Sequence, residues 1–587
     1  MRRIVATLLL ALPILLLGSC SRETTPEAPD EVEGNENVAV STLDVDTHLK
    51  ILYWQGPTTL NPYLSSGTKD IEAASIVLEP LAHHDVDANM VPILATEIPT
   101  KENGGLAEDR TSITWHLRQD IVWSDNTPLT ATDVVFTWEY CTAEGGGCTA
   151  IDSFRYVERV VAIDDHTVRI EFVKPAPYPY GPFVGSVSPI LQREQFKDCL
   201  GARAKECTDQ NFYPIGTGPF RALEFKANDT VQYIANTLYR DEGKPFFQTV
   251  VIKGGGNATS AARTVLQTGE FDYAWNLQVE PEILESMRGA GKGEILTGFG
   301  SQVERIMVNQ TNPDPKLNEE QRSVYMDGKN AHPFLSDINV RRALTLAIDR
   351  QILVDVLYGV SGRPTCNVIP LPEKYVSTNN DDCLTQDIEE ANRILDEAGW
   401  VLGSDGVRAK DGIRLSLVYQ TSTNSVRQST QSLIKDWWQQ IGVETELQNF
   451  DGGVFFSTDA ANPFTLTRFY ADVQMYTNSF EGNDPSNYVE SWKCGNVPGP
   501  HNSWVGSNIS RGCSEEVDAL LDALSETFDA TERVEIIKQL NDKVVQNVWE
   551  IPLIHRARVS ARANSLKGFE LNGWDSEIWS IADWYRE

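Results

Sequence analysis

The sequence predicts a mixed α/β protein built from several lobes. Its 587 residues are sufficient for about two to four domains. Runs with the alternation of β-strands lie mostly in the first half of the chain, and runs with the apolar spacing of helices lie mostly in the second half. No internal repeat is visible, and this distribution is typical of a mixed fold.

The elements can be predicted in order from local patterns. The helix that begins after Thr130 has the clearest start signal, because Thr130 can cap it and Asp133 follows three residues later. The turn Asp164-Asp165 separates two alternating runs and predicts a hairpin. The predicted strands are 50–54, 113–123, 157–162, 167–172, 231–234 and 249–253, and the predicted helices are 70–81, 131–136 onward, 258–266, 340–357, 388–398, 426–440, 515–526 and 530–548.

The N-terminus carries an export signal. Arg2-Arg3 precedes an apolar run from Ile4 to Leu17, which is too short for a normal membrane span. The junction Leu17-Gly-Ser-Cys20 resembles a bacterial lipobox, which implies a signal peptide over 1–19 and a diacylglycerol on Cys20. The alternative is a plain signal anchor that happens to contain a cysteine. Residues 20–47 are acidic and lack apolar periodicity, so we expect a disordered tether.

The composition narrows the possible partners. The formal net charge is −33, and a chain this acidic lacks the clustered Lys and Arg that a nucleic-acid surface needs. No run after the signal approaches 18 consecutive apolar residues, so we expect no further membrane segment. The acidity is thus compatible with an extracytoplasmic protein and with cationic or zwitterionic ligands, and it disfavours a nucleic-acid binder.

Eight cysteines remain after Cys20, an even number in an exported chain, and this favours disulfides. Eight cysteines permit 105 connectivities, but these fall into four close sequential pairs, so the simplest assignment joins neighbours. The predicted bonds are Cys141–Cys148, Cys199–Cys207, Cys366–Cys383 and Cys494–Cys513. A zinc site is disfavoured, because no Cys-x-x-Cys is present.

Motifs for catalysis are absent from the sequence. It contains no nucleophile elbow, Walker loop, zinc-protease helix or dinucleotide fingerprint. Gly254-Gly-Gly256 follows a predicted strand but lacks the remaining parts of a nucleotide site, so a turn is the better interpretation. We therefore predict no enzyme activity, no catalytic residue, no cofactor and no bound metal.

Five separated blocks resemble the family 5 extracellular solute-binding proteins, the peptide/nickel class that serves ABC importers. One block is Trp115-His-Leu-Arg-Gln-Asp-Ile-Val-Trp-Ser-Asp-Asn-Thr-Pro, in which Asp125-Asn126 stands where the family usually has Asp-Gly. The blocks occur in the family order and extend the resemblance from about residue 50 to about residue 560. They lie at 113–136, 214–241, 333–350, 392–400 and 513–552.

The resemblance implies a fold that the local patterns could not supply. It is a periplasmic-binding-protein-like two-lobe α/β fold (type II, large) with an inserted extra domain and a hinge between the lobes. The implied boundaries are 48–84, 210–302 and 550–587 for domain I, 85–209 for the inserted domain II, and 303–549 for domain III.

The resemblance also implies a function. A solute held between two lobes gains contacts from both only when the lobes close, so binding shifts the population toward the closed form. We expect a monomeric lipoprotein that captures an oligopeptide and delivers it to the permease subunits of an ABC transporter. The alternative ligands are an oligosaccharide, an opine-like conjugate or a nickel chelate, and a secreted hydrolase or chaperone on the same fold is a further alternative.

Candidate ligand residues follow from matching segments. Peptide-binding members hold the α-ammonium with an acid in a segment that corresponds to Glu481-Gly-Asn-Asp-Pro485, which implies Glu481 as the anchor. Glu481 can equally be a solvated loop acid, Trp275 a core residue and Arg558 a surface residue. The other expected cleft residues are Ser66, Gly67, Trp275, Asn276, Tyr476, Asn478, His555 and Arg556. Trp437, Trp438 and Trp492 are the candidate aromatics for a sugar ligand.

Overall fold

A computed structural model describes residues 47–323, 330–459 and 461–587. The predicted signal peptide, Cys20 and nearly all of the tether lie outside the described residues. The described residues belong to one compact unit. Within the described ranges, no helix has the length and apolarity needed to cross a membrane.

The described chain contains strands and helices in mixed order. The strands are β1 (His48–Tyr53), β2 (Ala82–His84), β3 (Met90–Pro92), β4 (Ser112–His116), β5 (Val157–Asp164), β6 (Thr167–Phe172), β7 (Phe220–Lys226), β8 (Thr230–Ala235), β9 (Thr249–Gly254), β10 (Tyr273–Ala274), β11 (Gly293–Val308), β12 (Gly362–Pro364), β13 (Val401–Leu402), β14 (Arg408–Lys410), β15 (Ile413–Arg414), β16 (Ser416–Ser422), β17 (Glu444–Phe450), β18 (Val473–Asn478), β19 (Glu550–Ala563), β20 (Leu566–Lys567) and β21 (Tyr585–Arg586). The helices are α1 (Thr68–Ser75), α2 (Ala131–Thr142), α3 (Arg193–Phe196), α4 (Thr208–Phe212), α5 (Ala258–Leu266), α6 (Pro281–Arg288), α7 (Glu319–Ser323), α8 (Ile338–Leu346), α9 (Arg350–Leu353), α10 (Ile388–Glu397), α11 (Ser425–Gln440), α12 (Gly452–Phe455), α13 (Ser486–Val489), α14 (Glu515–Leu524) and α15 (Ala530–Gln546).

One large sheet organises the molecule. Its main path is β17-β16-β18-β11-β19-β10-β1-β9-β8-β7, and β12 pairs with β19 beside this path. We call the half with β1 and β7–β10 the first lobe, and the half with β16–β18 the second lobe. In the first lobe β1 is parallel to β9 and β10, and in the second lobe β16 is parallel to β17 and β18.

The long antiparallel strands β11 and β19 connect the two lobes. Residues 293–299 of β11 pair with 557–563, and 303–307 pair with 550–555. The register shifts between Phe299 and Val303, where the pairing passes from one lobe to the other. These two chain segments therefore form the connection about which the lobes can move.

The segment between β3 and β7 adds a small antiparallel sheet in the order β4-β6-β5. Its apolar residues, such as Trp115 and Ile170, belong to one continuous core with first-lobe residues such as Ile51 and Tyr233. The second lobe has separate cores, one beneath β16 and β18 and another between α14 and α15. The apolar cores of the two lobes are therefore separate.

Most predicted elements are present within a few residues. Helix α5 has the predicted bounds, and Thr130 and Asp133 form the predicted capping box of α2. The predicted continuous helix 340–357 is wrong. The chain leaves α8 after Leu346, and Asp349 then adopts an extended conformation as the cap of α9. Strands β11 and β19 were missed, because their partners lie far apart in sequence.

The structure contains four disulfides that join the sequential neighbours. They are Cys141–Cys148, Cys199–Cys207, Cys366–Cys383 and Cys494–Cys513, with Cα–Cα distances between 4.8 and 5.9 Å. Each closes a short loop, so each restrains the unfolded chain only locally.

Candidate functional site

The space between the lobes contains three neighbouring cavities. The first, of about 380 Å³, extends from Ser66 to Glu481 and Asp575, and we call it the acidic cavity. The second, of about 80 Å³, shares Ser66 with the first, and we call it the central cavity. The third, of about 390 Å³, shares Lys69 with the central cavity, and we call it the amide-rich cavity.

The residues that line the acidic cavity include one guanidinium, that of Arg558, and five acids. Asp152 and Asp484 are paired with arginines outside the lining, Arg155 and Arg533. The three other acids outnumber Arg558, so the electrostatic field inside favours a cationic group. The five acids are Glu72, Asp152, Glu481, Asp484 and Asp575.

Glu481 has the least satisfied carboxylate of this cavity. Its Oε1 accepts a 2.7 Å hydrogen bond from Ser186 Oγ, and the backbone N–H of Val187 also interacts with the carboxylate. Its Oε2 is buried and accepts no well-formed hydrogen bond from the described residues. Burial raises the pKa of Glu481 well above its ordinary value, and the nearby Asp575 charge raises it further. Burial thus favours the protonated form of Glu481, and a nearby cation would favour the carboxylate.

Asp575 has the opposite environment. The backbone amides of His84 and Ser186 donate to its two oxygens at 2.9 and 3.0 Å. Although burial raises the pKa of Asp575, hydrogen bonding and charge from His84, with charge from His83, hold it well below its ordinary value. Asp575 therefore stays ionised and supplies a fixed negative charge beside Glu481.

A second buried carboxylate pair lies behind these residues. Arg558 Nη1 donates to Glu72 Oε1 at 3.1 Å and lies 3.9 Å from Glu577. Burial raises the pKa of Glu72 to about 7, although Arg558 lowers it. Arg558, left as a possible surface residue by the sequence, is only 7% exposed.

The central cavity brings together five predicted residues from distant parts of the chain. Arg556 on β19 donates to Asn276 Oδ1 at 2.8 Å and to Thr477 Oγ1 at 3.2 Å, so it connects the first lobe with the second. Asn276 directly follows Trp275 after β10 and has a positive φ of 52°. The predicted residues that line this cavity are Ser66, Gly67, Trp275, Asn276 and Arg556.

Arg427 also lines the central cavity but was not predicted. Its Nε and Nη2 donate to the two oxygens of Glu304 at 2.9 and 3.2 Å, and both side chains are buried. Thr477 Oγ1 donates to Glu304 Oε2 at 2.5 Å. This bidentate pair fixes the Arg427 guanidinium in the wall of the cleft, and Glu304 balances its charge.

Direct contacts close part of the cleft. Ser66 Oγ donates to the Phe456 carbonyl at 3.0 Å, and Thr458 Oγ1 donates to the Leu64 carbonyl at 2.7 Å. Ser65 and Ser457 form an antiparallel bridge between the same segments. The lobes are therefore joined on this side of the cavities, as a closed arrangement requires.

The remaining predicted residues have different positions. Asn478 lines the acidic cavity, whereas Tyr476 packs against Phe455 in a core cluster and lines none of the three cavities. His555 lies where β19 crosses between lobes, and its Nε2 is 2.9 Å from the Gly300 carbonyl. Burial lowers the pKa of His555 to about 4, so the ring is neutral at pH 7.

The three tryptophans considered for a sugar ligand are core residues. Trp437, Trp438 and Trp492 are 8%, 0% and 2% exposed, and none lines the three cavities. The indole of Trp438 donates to the Leu344 carbonyl, and that of Trp492 donates to Glu550. They therefore offer no stacking platform to a ligand in the cleft.

Several site residues escaped sequence reasoning. Ser186, Glu72 and Asp575 are far apart in sequence and had no local motif. A signal was present for Arg558, because polar residues at 556, 558, 560 and 562 alternate with the apolar residues 557, 559, 561 and 563. Such alternation in a buried strand indicates one polar face.

The chain is similar in sequence to known proteins. The family model for bacterial extracellular solute-binding proteins, family 5 (middle region), matches residues 89–498. Protein XP55 of Streptomyces lividans is 29% identical over 396 residues, which cover 67% of this chain and 65% of that protein. The dipeptide-binding protein of Escherichia coli K12 is 24% identical over 543 residues, which cover 87% of this chain and 90% of that protein.

Solved structures show the same architecture. The oligopeptide-binding protein AppA from Bacillus subtilis, in complex with a nonapeptide, has a TM-score of 0.76 at 21% identity and covers 92% of this chain and 99% of its own. NikZ from Campylobacter jejuni, in complex with Ni(L-His), has a TM-score of 0.75 at 21% identity and covers 92% of this chain and 100% of its own. These likenesses confirm the predicted periplasmic-binding-protein-like α/β fold.

Proposed function

The chain belongs to the bacterial extracellular solute-binding proteins of family 5, and we propose that its solute is an oligopeptide delivered to the permease of an ABC importer. Membership implies an extracytoplasmic protein that binds a solute. The choice of a peptide is supported by relatives named for dipeptide, glutathione and oligopeptide binding. No chemical step is proposed, because capture and release are sufficient for transport.

The observation that carries the proposal is the buried, unpartnered Oε2 of Glu481 in a cavity with excess negative charge. A peptide α-ammonium has three donors and one positive charge, so it can satisfy this oxygen and balance Glu481. Asp575 already has backbone donors and contributes the longer-range charge. An ammonium in this position would keep Glu481 ionised in the complex.

The expected energetic contribution is large. Removing one partner of a buried ion pair costs roughly 3–5 kcal/mol, because the other charge stays buried without compensation. This equals about two to three and a half decades in affinity. Glu481→Gln keeps the side-chain shape and removes the charge, so it isolates this contribution.

The test is isothermal titration of a panel of oligopeptides, each with a free and an N-acetylated amine. We expect the wild type to prefer free amines by about a hundredfold or more, and Glu481→Gln to lose that preference. Glu389→Gln is the matched control, because Glu389 is an exposed residue of α10 outside the cavities. A change of less than threefold in Glu481→Gln, or no binding of free-amine peptides to the wild type, would refute the peptide assignment.

The domain movement is part of the same proposal. We assign 48–84, 210–302 and 550–587 to domain I, 85–209 to domain II and 303–549 to domain III. Closure of domain III on the other two would bring Glu481 to Ser186, which lies in domain II. The 2.7 Å contact between these side chains supports this assignment.

Attachment to the membrane is a further part of the proposal. The lipobox-like junction supports cleavage before Cys20 and lipidation of its thiol. Cys20→Ala should remain unprocessed by lipoprotein signal peptidase and unlabelled by radioactive palmitate. Labelling equal to that of the wild type would contradict lipidation at Cys20. We propose that the anchored protein acts as a monomer.

A further inference from the structure

The amide-rich cavity lies at the carboxyl ends of parallel strands from both lobes. Residues after β1 and β9 line it from the first lobe, and residues after β16 and β17 line it from the second. In open α/β sheets, ligands bind in crevices outside the carboxyl ends of strands. This cavity is separate from Glu481, which lines the acidic cavity.

Two helices begin at this cavity, one from each lobe. Asn257 Oδ1 accepts from Ser260 N at 2.8 Å and caps α5, and Asn424 Oδ1 accepts from Arg427 N at 3.0 Å and caps α11. The first N–H groups of a helix have no intrahelical acceptor, and the helix dipole makes this end partly positive. Helices of nine and sixteen residues thus present their positive ends to one space.

The side-chain amide of Asn424 is a second observation, independent of the helix ends, that points to a hydrogen-bond acceptor in this cavity. Asn424 is only 5% exposed, and its Nδ2 has no hydrogen-bond partner among the described residues. The capping bond assigns Oδ1 to the helix, so the other atom of the amide must be the donor. A buried donor of this kind costs free energy unless an acceptor is supplied.

The charged side chains that line the cavity do not supply the acceptor that Asn424 lacks. Lys69 lines it, and its Nζ already donates to Asp70 Oδ2 at 2.7 Å and to Thr58 Oγ1 at 3.0 Å. Asp451 is the acid in the lining, and its Oδ1 accepts from Gly453 N at 2.8 Å. Asp451 is exposed, so water and salt screen its charge, whereas the buried unsatisfied group of the lining is the Asn424 donor, which an oxyanion can satisfy.

We propose that the amide-rich cavity binds an oxyanion, a carboxylate or a phosphate, between the capped ends of α5 and α11. The anion would accept from Asn424 Nδ2 and from the free backbone amides of both helices. Because these helices belong to different lobes, the anion would also stabilise the closed arrangement. The proposal does not require the solute to be a peptide.

Asn424→Asp is the informative variant. Aspartate caps a helix as well as asparagine does, so the fold should be retained. The substitution nevertheless replaces the Nδ2 donor with a negative charge that repels an anion. Ser514→Asp is the matched control, because it places the same charge at the cap of α14, outside the cavity.

The experiment is calorimetric titration of the mature chain with inorganic phosphate, and separately with tetra-alanine and its C-terminal amide. We expect Asn424→Asp to reduce at least tenfold either the affinity for phosphate or the preference for tetra-alanine over its C-terminal amide. Ser514→Asp should change each of these quantities less than twofold. Competition between phosphate and tetra-alanine would assign the cavity to the solute's own carboxylate, and simultaneous binding would assign it to a free anion.

The proposal is overturned if the wild type neither binds phosphate nor distinguishes the two tetrapeptides. It is equally overturned if Asn424→Asp behaves like Ser514→Asp. Failure of the peptide assignment is distinguishable, because it would abolish the amine preference that depends on Glu481 and leave the phosphate titration intact.

Discussion

Gly185→Ala should displace the Glu481 carboxylate without a direct change at residue 481. Gly185 has a φ of +81°, and a Cβ added there would overlap Glu481 Oε2 and lie 3.0 Å from its Cδ. The carboxylate would have to move, and its 2.7 Å hydrogen bond from Ser186 would be lost or lengthened. The variant thus tests whether the position of Glu481, and not only its charge, determines binding.

Two energetic effects must be separated. An alanine at positive φ costs about 1–2 kcal/mol of stability wherever it occurs. Displacement of Glu481 from a bound ammonium should cost a further ~1.5–3 kcal/mol of binding, the typical contribution of a hydrogen bond to a charged group. The expected loss of affinity is therefore about tenfold to a hundredfold.

Gly243→Ala is the matched control. Gly243 has a φ of +79°, and an added Cβ would meet no atom within 4 Å. Both variants should lose similar stability in urea denaturation, but only Gly185→Ala should lose affinity for a free-amine tripeptide in calorimetry. Equal affinities in the two variants would refute the reasoning that the cavity holds the ammonium at Glu481.

Three other substitutions test the surrounding structure. Glu304→Gln should lower the unfolding free energy by roughly 3–5 kcal/mol in urea denaturation, because Arg427 stays buried without its partner. Adding Arg427→Met should recover most of this loss of stability. An equal loss in the single and the double variant would contradict the prediction. The pKa of Glu72 is about 7 in the folded protein and about 4.5 in the unfolded chain. Its contribution to the unfolding free energy is therefore complete below pH 4.5 and is lost as the pH rises through 7. Wild-type stability should accordingly fall between pH 5 and 8 relative to Glu72→Gln, by on the order of 3 kcal/mol in denaturant titrations, and parallel profiles would exclude the effect. Replacing both Cys494 and Cys513 with Ala should cost about 2–4 kcal/mol in thermal unfolding, and an unchanged midpoint would show that their disulfide contributes nothing.

Local signals predicted the helices well because a helix forms its hydrogen bonds within a few residues. Thr130 with Asp133 marked the start of α2, and the apolar spacing of 258–266 delimited α5. The same reasoning joined α8 and α9 into one helix, because nothing in the apolar pattern reveals that Asp349 adopts an extended conformation. Backbone breaks of this kind depend on the tertiary surroundings.

The candidate site was only partly predictable. Family resemblance supplied Glu481 and five residues that line the central cavity, Ser66, Gly67, Trp275, Asn276 and Arg556. It could not supply Asp575, Ser186 or Arg427, whose roles depend on which side chains the fold places next to them.

The sequence by itself determined most of the local elements and the pairing of neighbouring cysteines, since each depends on residues close together in the chain. Only the tertiary structure decided how β11 and β19 join the lobes, which acids meet at Glu481, and that Asn424 retains an unused donor. The physical reason is burial. A carboxylate or an amide becomes a binding group when folding removes it from water and leaves one of its hydrogen bonds to be made by the ligand.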